Sequence, residues 1–170
     1  SIYISERSCG TRQAFVQYEM DYYYHSMREC TEWVMANAEV PAEGKVVVGT
    51  WLPEHTRYFL QKDSAHFRHQ FIRWYQRGSY DWDYLVFPIT GISPSYLKSD
   101  KVFPPKETVH LVEVDGVPIG LVLKRGDKND FIASELRQQG LVDSAMVHYR
   151  KALEYNPYNE SALMNMAEIY

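Results

Sequence analysis

Between Asp130 and Tyr170 the small and aromatic residues sit at spacings that leave the chain little choice but to stack helices. Ala133, Gly140, Ala145, Tyr149, Ala152 and Pro157 fall at offsets 0, 7, 12, 16, 19 and 24. Small residues recur where two helices must come close, an aromatic fills the groove between them, and a proline closes the unit. A second pass begins at once, with Leu163, Met166, Ala167 and Tyr170 lying 34 residues after Asn129, Ile132, Ala133 and Leu136. The chain stops after the first helix of that second unit. It also starts Ser-Ile-Tyr without a methionine, so it is expected to be a piece of a longer protein. One unit and a half cannot bury a continuous core, since about three are usually needed. The tail is therefore expected to pack on the rest of the chain, on a second copy, or on further repeats. Apolar surface around Leu163, Met164 and Met166 would favour a homodimer or an absent neighbour.

The remaining residues have room for one domain. The 170-residue composition is globular, 45% hydrophobic and 24% charged, and rich in aromatics at 15%. A net charge of -4 argues against a nucleic-acid partner, which needs a basic stripe. Arg68, Arg73 and Arg77 form the one dense basic group and read as a solvated strand edge. No apolar run approaches the roughly 20 residues that cross a bilayer, and no signal peptide is visible. Cys9 and Cys30 are compatible either with a disulfide or with two reduced, buried thiols.

Along the chain, residues 1–18 are irregular. From Glu19 the pattern is helical, with Tyr23, Met27, Cys30 and Val34 on one face, Trp33 beside them and Asn37 closing the run. Lys45 to Thr50 reads as a buried strand, Pro53 to Gln61 as a short helix, and Phe67, Phe71 and Tyr75 mark a further strand. Tyr84 to Phe87 is a second buried strand, followed by a proline-bearing loop with one helical turn at most. Thr108 to Val114 and Val117 to Lys124 are β-rich runs joined by Asp115-Gly116, which favours a type I′ turn. Gly126 to Asp130 is a polar hinge. The expected fold is an α/β (α+β) domain at 1–125 with a small mixed sheet and a closing hairpin, followed at 126–170 by antiparallel repeat helices.

Candidate chemistry is sparse. His66-x-x-His69 has the look of a metal pair, but a strand would send the two rings to opposite faces, so no metal site is expected. Asp81-Trp82-Asp83 offers two carboxylates two residues apart, yet Asp83 directly precedes a buried strand and reads as its cap. A soluble enzyme would need Asp81, Asp83 and His55 to converge in one pocket. No nucleophile elbow or phosphate-cradling glycine loop is present, and neither a catalytic residue nor a cofactor is expected. The densest functional block is Tyr18-Glu-Met-Asp21-Tyr22-Tyr-Tyr24-His25. Its tyrosines, with Asp21 and His25, suit stacking on sugar rings or anchoring at a membrane interface. The competing reading is a helix start with Asp21 as N-cap and the tyrosines packed on the sheet.

Tyr3, Gly10, Ala14, Tyr18-Glu19-x-Asp21-Tyr22, Ser26, Glu29 and Trp33 together resemble a known segment. It is the one that follows the last membrane helix in bacterial GT-C glycosyltransferases, relatives of the dolichyl-phosphate-mannose–protein mannosyltransferases. Similar pieces follow in the valine strand at 46–48, in Asp81-Trp-Asp-Tyr84, and in the hairpin Val112 to Ile119 running into Leu123-Lys-Arg125. The likeness spans about residues 2–125, and the tail resembles a tetratricopeptide repeat. Ser5 stands where the family pattern has Asn, and Cys9 and Val16 stand where it has Gly.

The family's catalytic carboxylates lie in loops between membrane helices, so no catalytic residue carries over to this chain. The resemblance implies a non-catalytic accessory region of a membrane-bound glycosyltransferase, on the extracytoplasmic (periplasmic) face and tethered upstream of Ser1. It also implies a protein partner for the repeat helices, and contact of the first domain with the parent membrane segment, a glycan or a polyprenyl-phosphate sugar. The alternative is a free-standing tetratricopeptide-repeat adaptor.

Overall fold

The computed structural model describes residue 21 and residues 24–169. Its centre is a five-stranded mixed sheet in the order β2-β1-β3-β5-β4. The strands are β1 (Val46–Thr50), β2 (Phe67–Phe71), β3 (Tyr84–Pro88), β4 (Thr108–Val114) and β5 (Val117–Lys124). β1 runs parallel to both β2 and β3, whereas β5 runs antiparallel to β3 and β4. All five residues of β1 and of β3 are buried, as the apolar runs at 46–48 and 84–87 lead one to expect. The β4–β5 hairpin turns at Asp115 and Gly116, with φ of 53° and 72°. Both central residues thus occupy the left-handed region that a type I′ turn demands, and glycine takes it without Cβ strain.

Period-two alternation sorts the strand side chains onto two faces. On one face Val46, Val48, Val86 and Val122 meet Met27, Cys30 and Val34 of α1 (His25–Asn37) and Leu60 of α2 (Pro53–Leu60). Pro53 opens α2 at its first position, where no amide donor is required. On the other face Val47, Leu85, Phe87, Leu121 and Leu123 meet Ile72, Trp74, Trp82 and Ile92. Irregular structure supplies that second layer: a 3-10 segment at Trp74–Ser79, a 3-10 turn at Ile89–Gly91 and the short α3 (Pro94–Leu97). The tail forms α4 (Asn129–Gln138), α5 (Val142–Tyr155) and α6 (Glu160–Ile169).

Three expectations need correction. The helical pattern read from Glu19 begins at His25 among the described residues, because Asp21 and Tyr24 take φ of 56° and 54°. Tyr75 is not in a strand. Its neighbour Trp74 is drawn into the second-face core, which bends the chain into a 3-10 segment as it crosses β1 to reach β3. Arg77 does not lie on a solvated edge, since its side chain is only 13% exposed.

Cys30 is a free thiol on the buried face of α1. Burial pushes it well above the ordinary thiol range, and Glu29 and Asp21 add to that shift. In a Cys9→Ser variant, an aromatic disulfide reagent at mildly alkaline pH is expected to titrate no thiol until denaturant is added. Rapid labelling of the native variant would show that α1 does not bury this face.

Candidate functional site

The start of α1 carries three of the five residues singled out in the tyrosine block. The Asp21 carboxylate accepts the amide protons of His25 at 2.7 Å and of Ser26 at 3.0 Å, and the Ser26 hydroxyl also donates to it. It thereby satisfies two of the free donors that open every helix and places negative charge at the positive end of the dipole. Tyr24 packs edge-on against the His55 ring of α2, centroids 5.3 Å apart. His25 stands exposed at the first helical position. Asp21 and Tyr24 are thus engaged within the fold, and Tyr18 and Tyr22 lie outside the described residues.

The other carboxylates weighed for chemistry are held separately. Asp83 donates its backbone N–H to the Val47 carbonyl at 3.0 Å, and its side chain accepts the Val47 N–H at 2.8 Å. It therefore starts the β1–β3 pairing from both main chain and side chain. Asp81 pairs with Lys128 at 2.6 Å, and His66 meets Asp63 at 2.7 Å. Among the described residues no group of three or more His, Cys, Asp or Glu is placed to hold a metal ion. Nor is any helix among them long and apolar enough to cross a membrane.

The most concentrated arrangement of charge lies elsewhere, where the tail meets the sheet. The Arg125 side chain, 3% exposed, leaves the end of β5 and stacks over the Trp82 ring at 4.5 Å. Its guanidinium donates to the carbonyls of Tyr80 at 3.1 Å and Asp127 at 2.9 Å, and to the Asp130 carboxylate. Asp130 also accepts from the Phe131 N–H at 2.7 Å and from Asn159 at 3.2 Å. Burial pushes the Asp130 carboxyl above its ordinary range, and the Arg125 charge pulls it back. Beside this pair Arg77 lies 4.2 Å over the Trp74 ring and bonds Glu160 of α6 at 3.0 Å. Gly78 sits directly against Ser161 and Asp130, where a Cβ would have no space. The junction lines a small, partly open pocket of about 30 Å³, room for roughly one water.

These contacts also set the direction of the helices. Asp130 and Asn159 meet at the starts of α4 and α6, and Arg137 meets Asn165 and Glu168 towards their ends. α4 and α6 therefore run the same way, with α5 returning between them. Ala133, Ala145, Tyr149, Ala152 and Ala162 are fully buried among the three. On α6, Leu163 and Met164 stay 48% and 57% exposed, whereas Met166 is partly buried against the tail core.

Sequence reasoning missed Arg125, Asp130, Arg77 and Trp82 as a unit. A signal was present in Asp127 and Asp130 closely following Arg125. It reads as a solvated linker until the fold brings Arg77 and Tyr80 alongside. Comparisons with protein-family models, with curated proteins and with solved structures return no match.

Proposed function

We propose that this chain is the non-catalytic accessory region of a membrane-bound glycosyltransferase, and that its tail is a tetratricopeptide-type surface for a protein partner. One observation carries the binding role. Four of the six residues at the repeat offsets, Ala133, Ala145, Tyr149 and Ala152, are completely buried among α4, α5 and α6, whereas Gly140 and Pro157 lie exposed in the turns and Leu163 and Met164 face outward. A stack that hides its small residues and leaves large apolar ones exposed is built to be covered further. The accessory role draws on the resemblance of residues 2–125 and on the structural employment of Asp21, Asp81 and Asp83. Sugar transfer then belongs to the membrane portion of the parent protein, and the sheet domain is fastened to the partner-binding tail through Arg125 and Asp130.

Two measurements test the two halves separately. An antibody raised against this chain is expected to detect, in the producing cells, a membrane-fraction polypeptide well above 20.0 kDa. A soluble species of about that mass would overturn the glycosyltransferase half and leave the free-standing adaptor. A photo-crosslinking amino acid at Met164 of the native polypeptide is expected to capture a discrete protein, whereas one at exposed Glu43 is not. Equal labelling at both positions, or none at Met164, would overturn the binding half.

A further inference from the structure

Among the described residues the sheet ends at β2 in an open edge, and a cleft lies alongside it. The pairing of β1 with β2 is bracketed by hydrogen bonds from Val46 N to His66 O at 2.8 Å and from Ile72 N to Thr50 O at 2.9 Å. In a parallel ladder alternate residues face the partner, so His66, Arg68, Gln70 and Ile72 direct their main-chain groups at β1. Phe67, His69 and Phe71 then direct theirs away from the sheet, and among the described residues nothing meets them.

The Arg68 and Gln70 side chains project to the face on which the tail is docked. There they line an open cleft of about 540 Å³ together with Tyr80, with Phe131 and Glu135 of α4, and with Asp81, whose carboxylate is paired with Lys128. No described residue forms an ion pair with Arg68 or Glu135.

We infer that this cleft and the β2 edge together form a binding site for an extended peptide, which adds to the sheet as a sixth strand. A strand laid against β2 would satisfy the outward N–H and C=O groups of Phe67, His69 and Phe71. Its alternate side chains would enter the cleft on the Arg68 face, and the others would point to the α2 side. Two features set the side-chain preference. Arg68 calls for an acidic residue at one cleft-facing position, and Glu135 calls for a basic or amide residue at another. The half-buried rings of Tyr80 and Phe131 offer apolar contact between those positions. An edge guarded only against aggregation needs charge alone and no adjoining cleft. The site is distinct from the α6 surface, so it stands or falls independently of the tail's partner.

The test uses the whole chain and random peptides displayed on phage. Enriched peptides, made synthetically, are expected to protect the His69 and Phe71 amides from hydrogen exchange. N-methylation at successive peptide positions is expected to weaken binding at least about tenfold at every second residue and little between them. That two-residue period belongs to strand addition and leaves the protein unaltered. Glu135→Lys, on an exposed helix position, is expected to change which peptides are enriched without changing the fold. Four results would overturn the inference: no enriched peptide, an N-methyl profile without the two-residue period, edge amides already protected in the chain alone, or peptide binding displaced by oligosaccharides that occupy the cleft instead.

Discussion

Replacing Asp130 by alanine is expected to unfasten the tail and to lower the unfolding free energy by about 3–5 kcal/mol, the usual result of removing one partner from a buried ion pair. Arg125 would keep its bonds to the Tyr80 and Asp127 carbonyls and its place over Trp82, but its buried charge would be left with only the weaker attraction of Asp81, Asp127 and Glu107. Asn159 would lose an acceptor in the same step. Urea denaturation followed by circular dichroism checks the magnitude. A double variant, Arg125→Met with Asp130→Leu, is expected to recover much of the loss, because apolar groups of similar volume often replace a buried pair without cost. A loss below about 1 kcal/mol in Asp130→Ala would place the pair among solvent-screened surface bridges and show that it does not fasten the tail.

Tyr149→Ala is expected to cost a similar amount, about 3–5 kcal/mol, by opening a cavity between α4, α5 and α6. The ring is fully buried among alanines, whose short side chains cannot move in to fill the space. The informative control is Tyr149→Phe. Among the described residues the Tyr149 hydroxyl is buried without a hydrogen bond of good geometry, although Arg137, which binds Asn165 and Glu168, interacts with it. Deleting that oxygen removes an unsatisfied polar group and is expected to leave stability unchanged or slightly higher. Thermal denaturation of the two variants separates packing from polarity. A large loss in Tyr149→Phe would reveal a bond to the hydroxyl and shift the explanation from shape to hydrogen bonding.

Much of the sheet domain was legible from local pattern. Asp115-Gly116 specified its turn because few residue pairs tolerate two successive positive φ values. The apolar runs of β1 and β3 announced strands covered on both faces, and Met27, Cys30 and Val34 marked the one face of α1 that meets them. The candidate site was less legible. Asp21 reads equally well as a ligand group or a cap, and only its bonds to His25 and Ser26 assign it to the helix. Asp83 was recognisable as a strand cap from its position before an apolar run, and it caps by bonding Val47 of the neighbouring strand.

By itself the sequence determined which residues turn inward. Periodicity and turn chemistry act over a few residues, and burial follows the side-chain pattern whichever partner supplies the other half of the core. Tertiary structure alone decided which charges are taken out of water. Arg77 and Arg125 are 48 residues apart in the chain and share one junction, so neither announces its burial through its neighbours. The same holds for the edge of β2, whose residues pair on one side only among the described residues because of where the chain crosses the sheet. Local interactions choose the face of each element, whereas desolvation and edge exposure depend on what the completed fold brings alongside.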